Sequence, residues 1–598
     1  MSKRKQKKLS TSGLIPIYAA SALIPLIVYM KRIKIEGILY ETGKGISDFG
    51  EFFSYYKSVA IIIAALIAVI FLVIKDRDKI NIKKQIDFFP AFIYLLFVVI
   101  STVTAEHIQV ALYGYTERYE GALVLASYIV ICFYTSYYID NEDSIKAVFT
   151  AMCVSCTIIG FIGIFQYFGN DIFQTSIGMK LILPQRYHAY AESLKFSYTE
   201  KIIYGTFNNP NYVGSYSSML LFVSLGLFYY LKDIKNRIIT GIIFCGSSFI
   251  LWIGSMSRAG LVGGVIAIIV FTVMQFKNIF RNWKYTLPLI IYFIGIYTVL
   301  NVSSGGRVVT EFDRINPVKE NIRIEERKSR LYVDEIKTDN NMLVIRTNTE
   351  TFKILYADEG KLKFLDIDNN PIKSTYKNNV YAFQDDLYSK YKILAEDSDD
   401  EYLLNIETHP IRFKYNEEGF HKVTPAGGLT KIQNAEGISI LKEREAFASG
   451  RGFIWSRTIP MIKNTIFKGY GPDTYTIYFP QWDLAGKING LNDPNMIVDK
   501  PHNWYLQIAV STGLISLLCV ILLILMYIYN TIKAYIKTKN KEDAIFISAV
   551  FTAIISYCIA GFFNDSVVSV APVFWVLLGS GIALNRKSKE NENRNFSK

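Results

Sequence analysis

Twelve apolar runs, each close to the length that spans a bilayer, dominate this sequence of 598 residues. They lie near 14–30, 58–74, 88–104, 121–139, 147–168, 212–230, 238–254, 259–275, 286–301, 504–528, 543–561 and 568–584. A transmembrane helix needs about 20 apolar residues. Because lipid offers no partner to the backbone, such runs must form helices. The sequence therefore predicts an all-α polytopic membrane protein with about 12 transmembrane helices.

The basic residues indicate how the chain is oriented. The net charge of +13 would suggest a nucleic-acid partner in a soluble protein, but here the basic residues gather in short links between apolar runs. Such links are 75–84, 232–237, 277–284 and 533–541, and positively charged links stay in the cytoplasm. We therefore expect no nucleic acid as partner, and a multi-pass protein of the cytoplasmic membrane with both termini cytoplasmic.

This orientation divides the chain into four parts. Residues 1–301 form an N-terminal transmembrane region of about nine spans, and 302–503 form an extracytoplasmic loop. Residues 504–584 form a C-terminal region of about three spans, and 585–598 form a cytoplasmic tail. The first run follows a basic start but lacks a small-residue cleavage site, so we interpret it as the first span rather than a signal peptide.

The long loop contains a segment of different character. Within 331–445, alternating apolar and polar residues are separated by Asp, Asn and Gly turns, which is typical of antiparallel strands. We predict an extracytoplasmic β-rich insert domain there, either a lid or a partner-binding insert. The loop 302–503 contains 28 basic and 30 acidic residues, so its total charge does not predict binding of a polyanion.

Three arginines are candidates for binding an anion near the outer ends of helices. Arg258 lies in GSMSRAGLVGG, where Gly260, Gly263 and Gly264 offer a small-residue face for close helix packing. It is either an anion clamp or an arginine that only marks a helix end. Arg118 precedes the fourth span and either binds an anion or pairs with a neighbouring glutamate, Glu117 or Glu120. Arg451 lies in SGRGFIW, where the loop returns to the membrane.

Amide and imidazole groups form a second set of candidates. In GTFNNPNYVGSY, Asn209 can cap a helix that starts at Pro210, while Asn209 and Asn211 also suit hydrogen bonds to sugar or phosphate. In PHNWYLQ, His502 and Asn503 precede the tenth span. A neutral histidine there can accept a proton from a hydroxyl, or can serve as an interfacial residue with a structural hydrogen bond.

The order of these motifs resembles the O-antigen ligase and O-antigen polymerase superfamily. The motifs are Arg118 before a span, GTFNNPN, SRAG, SGRGFIW, GYGPDTY and PHNWYLQ followed by TGLISLL, from about residue 100 to 530. The resemblance implies a GT-C-like helical bundle that acts on polyprenyl-diphosphate-linked glycans outside the cytoplasmic membrane. It also implies a glycosyltransferase that inverts the anomeric carbon and uses no metal or cofactor. The β-rich insert departs from the family pattern.

The chemistry implied by the resemblance assigns roles to the candidates. His502 is expected to be the general base, and Arg258 to be a second catalytic residue that stabilises the diphosphate leaving group. Arg118 and Arg451 are expected to bind the diphosphate, and Asn209, Asn211 and Asn503 to orient the substrates. All six cysteines lie in apolar runs, so a disulfide or a zinc site is not expected. The expected partners are the lipid-linked glycan, membrane lipid, and an acceptor glycan, lipid or protein.

Two alternatives from other classes stay open. A glycolipid transporter or flippase predicts charged residues in the middle of spans and internal repeats, neither of which the sequence shows. A receptor with a ligand-binding insert explains the β-rich segment but leaves the polar groups at the helix ends without a purpose. The sequence does not distinguish a polymerase from a ligase that uses a lipid or protein acceptor.

Overall fold

The computed structural model describes residues 11–75, 86–196, 198, 200–357, 361–396 and 400–596. Twelve of its helices correspond to the twelve predicted runs. They are α1 (Ser12–Leu26), α2 (Tyr55–Ile74), α3 (Ile86–Val103), α4 (Ala122–Tyr138), α5 (Glu142–Tyr167), α6 (Pro210–Tyr230), α7 (Ile234–Gly254), α8 (Arg258–Arg281), α9 (Trp283–Ser303), α10 (Leu514–Lys537), α11 (Lys541–Ala560) and α12 (Ala571–Phe596). The basic start and almost all of the link 75–84 lie outside the described residues.

Among the described residues, nine helices are long and apolar enough to cross a membrane: α2, α3 and α5 to α11. Helices α1 and α4 are shorter, and α12 continues from its apolar part into a charged end. The mostly helical membrane fold is therefore confirmed. The number of twelve spans and the GT-C type stay predictions.

Helices α6 and α11 form the centre of the bundle. In each, more than four fifths of the apolar stretch is buried inside the protein, whereas only 17% is buried in α9, which lies at the periphery. Helix α6 packs against α11, α8 and α7. Close packing relies on glycine, because a Cβ on Gly260 of α8 would lie 2.6 Å from the backbone carbon of Gly214 on α6. The predicted small-residue face of α8 is confirmed.

Between α9 and α10 the chain forms the β-rich insert, whose existence is confirmed. A hairpin of β1 (Lys31–Lys34) and β2 (Asp48–Glu51) lies earlier in the chain. In the insert, one antiparallel sheet contains β3 (Val333–Asp339), β4 (Met342–Thr347), β5 (Thr351–Tyr356) and β6 (Leu362–Leu365) in chain order. The second contains β7 (Ser374–Lys377), β8 (Val380–Phe383), β9 (Tyr391–Ala395), β10 (Glu401–Ile406), β11 (His409–Asn416), β12 (Gly419–Val423) and β13 (Leu429–Lys431), also in chain order.

The two sheets share one apolar core. Alternating side chains point inward, as in β10, where Tyr402, Leu404 and Ile406 are buried. Phe352 of the first sheet stacks on Tyr391 of the second, with 4.3 Å between ring centroids. Within each sheet of the insert, every strand pairs with its neighbour in sequence, so the strands are joined by local turns and loops.

Helices frame the insert and lead the chain back to the bundle. Before it come Arg307–Asp313 and Pro317–Arg330, and after it come Phe447–Met461, Leu484–Leu491 and Trp504–Ser511. The shorter helices are Ile38–Glu41, Ile108–Tyr113, Ser176–Ile182 and Tyr475–Tyr478. We call the end of the bundle where α9 leads into these segments the domain face.

The tenth predicted span, 504–528, is divided in the structure. The helix Trp504–Ser511 ends at Thr512, and α10 begins only at Leu514. Gly513 between them has φ of 108°, which breaks the helix and favours glycine. At this break the backbone N–H of Leu514 donates to the carbonyl of Thr465 instead of to a carbonyl of its own helix. His502 therefore precedes a short helix of the domain face rather than a membrane span.

Candidate active site

His502 and Asp565 form a hydrogen-bonded pair at the domain face. Nδ1 of His502 lies 2.9 Å from Oδ2 of Asp565. The Asp565 side chain is fully buried, whereas that of His502 is 36% exposed. An ionised carboxylate only accepts hydrogen bonds, so Nδ1 carries the proton and Nε2 is left as the basic nitrogen. The pair therefore resembles the base and its orienting acid in many nucleophile-activating sites.

Asp565 is held ionised by its neighbours. Although burial opposes ionisation, the adjacent His502 and the nearby Lys500 hold the pKa of Asp565 below its usual value. The second oxygen, Oδ1, is buried and has no hydrogen-bond partner among the described residues.

Lys500 lies next to this pair and is buried. Its Nζ donates a hydrogen bond to the hydroxyl of Tyr212 at 2.7 Å and lies 5.1 Å from the centroid of that ring. Burial opposes its charge, but Tyr212, Asp565 and Asp499 raise the pKa of Lys500 above its usual value. The site thus contains a permanent cation beside the imidazole.

Arg258 and Arg451 both contact the segment 448–449. Arg258 starts α8 and donates from Nη2 to Oγ of Ser449 at 2.8 Å, while its Nε lies 3.4 Å from Oε2 of Glu311. Arg451 donates from Nη1 to the carbonyl of Ala448 at 2.9 Å. Its Nε and Nη2 donate to the carbonyl of Phe563, two residues before Asp565. Arg451 therefore lies close to the link that carries Asp565, and Arg258 contacts the same short segment as Arg451.

Three residues around these contacts have a strained backbone. Ala448, Ser449 and His502 have φ of 49°, 62° and 48°. Residues other than glycine rarely adopt this left-handed backbone conformation, which costs about 1–3 kcal/mol per residue. Such residues persist where the surrounding structure fixes them, and they cluster at functional sites. Here they position the Arg258 contact and the imidazole.

Arg118 has a different environment from the other arginines. It is buried, and its Nε lies 2.6 Å from Oδ1 of Asp473, while Nη1 lies 3.0 Å from Oδ2 of Asp499. The partners are therefore not the neighbouring glutamates Glu117 or Glu120 proposed from the sequence. Glu120 instead accepts hydrogen bonds from Tyr128 and Ser566. Arg118 lies behind the site, beside the residue that precedes Lys500.

The three predicted asparagines hold the ends of helices together. Asn209 caps α6 by accepting from the N–H of Asn211 at 2.9 Å, as predicted. Asn211 accepts from Oγ of Ser257, which joins α6 to the turn before α8. Asn503 caps the helix Trp504–Ser511 and donates from Nδ2 to the carbonyl of Phe562. Two of these contacts position the segments that carry Arg258 and Asp565.

Sequence analysis missed Asp565, Lys500 and Tyr212. The available signal was the NDS sequence at 564–566, an acidic residue in a short link between two apolar runs. An ionisable group in that setting needs a partner, because burial without one is costly. The partner, however, lies 63 residues earlier in the chain.

Comparison with known proteins bears on the segment that carries the histidine. Residues 423–521 match a family model described as O-antigen ligase. The resemblance to the O-antigen ligase superfamily is confirmed. The O-antigen ligase match includes Arg451, His502 and Asn503, and it supports membrane glycan transfer of the ligase or polymerase type. No curated protein and no solved structure matches the chain.

Proposed function

We propose that this chain is a membrane glycosyltransferase that transfers a polyprenyl-diphosphate-linked oligosaccharide to a hydroxyl of an acceptor glycan. The reaction takes place at the domain face, which is the outer face of the cytoplasmic membrane in the predicted orientation. The His502–Asp565 pair, within the O-antigen ligase match, is the observation that carries this proposal. It provides an oriented base beside a group of arginines.

In this mechanism His502 activates the acceptor. Nε2 of His502 takes the proton of the acceptor hydroxyl as its oxygen attacks the anomeric carbon of the donor. Asp565 fixes the tautomer that leaves Nε2 free and stabilises the imidazolium that forms. Because Asp565 is buried, it acts through His502 and does not touch the substrate.

The arginines stabilise the leaving group. As the new bond to the anomeric carbon forms, its bond to the phosphate oxygen breaks, and the diphosphate leaves with the electron pair. Arg258 and Arg451 bind this diphosphate, since a guanidinium fork matches phosphate oxygens and opposes the growing negative charge. Attack opposite the leaving group inverts the anomeric carbon, and the proposal includes no metal or cofactor.

The remaining predicted residues position the reacting groups. Asn209, Asn211 and Asn503 fix the helix ends around the site through the contacts described above. Arg118 fixes the segments of Asp473 and Asp499 and is a positioning residue rather than a phosphate ligand, because these carboxylates occupy its guanidinium. If the enzyme is a polymerase, the acceptor is a growing glycan; if it is a ligase, the acceptor is a lipid or a protein.

A glycan profile of producing cells tests the proposal. Cells carrying the parent protein, His502→Ala, Arg258→Ala or the control His107→Ala are compared at equal protein levels in the membrane. His107 lies in the link between α3 and α4, and its ring packs against the ring of Tyr478. We expect both active-site variants to accumulate lipid-linked oligosaccharide and to lose the transferred product, with the control unchanged. Full product from His502→Ala contradicts the proposed mechanism.

A further inference from the structure

A groove of about 360 Å³ opens at the domain face beside the proposed active site. It is lined by the helix Pro317–Arg330, by the end of the preceding helix at residues 310 and 314, by residues 446 and 449, and by the start of α8. Four arginines line it: Arg258, Arg314, Arg323 and Arg327. The groove is continuous with the site, because Arg258 lies in both.

The four arginines have fewer carboxylate partners than positive charges. Glu311 pairs with Arg314 at 2.7 Å and with Arg258 at 3.4 Å, so one carboxylate serves two guanidinium groups. Glu320 lies 3.7 Å from Arg323, which is at the edge of an ion pair. Among the residues that the structure describes, Arg327 donates to two neutral oxygens, the Ile488 carbonyl and the Asn492 side chain, and to no carboxylate. Four arginines thus face two glutamates.

The groove is exceptional within a loop that is nearly neutral overall, with 28 basic and 30 acidic residues in 302–503. Residues 320, 323 and 327 follow helical spacing, so they share one face of Pro317–Arg330. The side chains of Arg314 and Arg323 are each 43% exposed, which leaves donors accessible to a ligand. The fold thus brings several positive charges together in the groove, although the total charge of the loop 302–503 is close to zero.

We infer that this groove binds negatively charged sugars of the glycan, so that the substrate is an acidic oligosaccharide with carboxylate or phosphate groups. The inference rests on the proposed function, in which Arg258 holds the diphosphate at one end of the groove. The sugars attached to that diphosphate then lie along Arg314, Arg323 and Arg327. The volume suits a small ligand of a few sugar units rather than a diphosphate alone. Guanidinium groups recognise acidic substituents, which neutral sugars lack.

Direct binding to the full-length protein in detergent tests this inference. The probe is a labelled tetragalacturonate, with neutral maltotetraose and inorganic pyrophosphate as competitors. The test variant is Arg323→Gln with Arg327→Gln, and the matched control is Arg330→Gln, since Arg330 lies on the same helix but pairs with Glu407. We expect tetragalacturonate to bind the double variant about tenfold more weakly than the parent, with the control unchanged. We also expect weaker binding at high salt and no competition by maltotetraose.

Three results would overturn the inference: competition by maltotetraose as strong as that by unlabelled tetragalacturonate, unchanged binding to the double variant, or displacement of the probe by pyrophosphate at concentrations as low as those of unlabelled tetragalacturonate. The last result would assign the whole groove to the diphosphate. His502→Ala distinguishes the two proposals, because it leaves tetragalacturonate binding intact while it abolishes transfer. Transfer that survives His502→Ala contradicts the proposed function, whereas binding without acidic preference contradicts only this inference.

Discussion

Arg118 and Asp473 are separated by 355 residues in sequence, yet Nε of Arg118 lies 2.6 Å from Oδ1 of Asp473 and both side chains are almost completely buried. The pair connects the link before α4 to the glycine-rich segment before the active site. Asp473 also accepts from the backbone N–H of Tyr115 at 2.7 Å, so the carboxylate is fixed from two sides. The contact therefore fixes the position of the segment that leads to His502.

Arg118→Ala should destabilise the protein strongly. The change leaves the buried carboxylate of Asp473 without its cation, which typically costs about 3–5 kcal/mol. Thermal unfolding in detergent measures the effect, with Arg330→Ala as the exposed control. If Arg118→Ala unfolds at the same temperature as the parent but fails to bind the donor, Arg118 is instead a substrate ligand, as the sequence first suggested.

Asp565→Asn should slow transfer without weakening substrate binding. Asparagine can donate to Nδ1 and thereby place the imidazole proton on Nε2, where it blocks proton abstraction. We expect kcat to fall by about two to four orders of magnitude, with KM nearly unchanged. Kinetics with purified protein measure both constants, and Asp493→Asn on the same face is the control. A rise in KM with unchanged kcat would place Asp565 in binding rather than in positioning.

Glu120 should make stability depend on pH. Burial raises the pKa of Glu120 to about 7, from an ordinary value of 4.5 for a glutamate in water. Between these values the folded protein holds a proton that the unfolded chain has released, so the free energy of unfolding falls as pH rises. The loss approaches about 3 kcal/mol above pH 7. Glu120→Gln should remove this dependence and raise the thermal unfolding midpoint at about pH 8 relative to the parent.

The matched control for this measurement is Glu117→Gln, because the Glu117 side chain is about half exposed on the same link. Its unfolding midpoint should follow that of the parent at each pH. A parent protein whose midpoint is constant between about pH 5 and about pH 8 would show that Glu120 stays ionised when folded.

Gly260→Ala should destabilise the contact between α6 and α8. The added Cβ would lie 2.6 Å from a backbone carbon of Gly214, and backbone cannot move aside as a side chain can. Overpacking of this kind typically costs about 1–3 kcal/mol. Gly295→Ala is the control, because its Cβ would meet nothing within 4 Å in α9. Equal unfolding midpoints for the two variants would contradict the importance of this contact.

Features that depend on neighbouring residues could be predicted from the sequence. The apolar runs gave the positions of the twelve helices, and the cap formed by Asn209 reaches only two residues along the chain. Alternation within 331–445 gave the β-rich region for the same reason. These signals are local, because a helix or a hairpin is closed by hydrogen bonds between residues that are near in sequence.

Contacts between distant segments could not be predicted in this way. The break at Gly513 depends on the Thr465 carbonyl, and the partner of His502 follows it by 63 residues. The arginine groove likewise combines residues 258, 314, 323 and 327 from three segments, which total charge does not reveal. The sequence shows which residue types are present, but only the folded structure shows which residues from distant segments are in contact.

The position of Asp565 also sets the moment at which the protein becomes active during its synthesis. His502, the β-rich insert and all the arginines of the site precede α10, whereas Asp565 lies in the link between α11 and α12. Under the proposed mechanism, a nascent chain released after α10 contains the imidazole but lacks the carboxylate that orients it. Insertion of the last helical hairpin therefore completes the catalytic base, and a chain that ends before α11 holds the arginines of the site without an oriented imidazole.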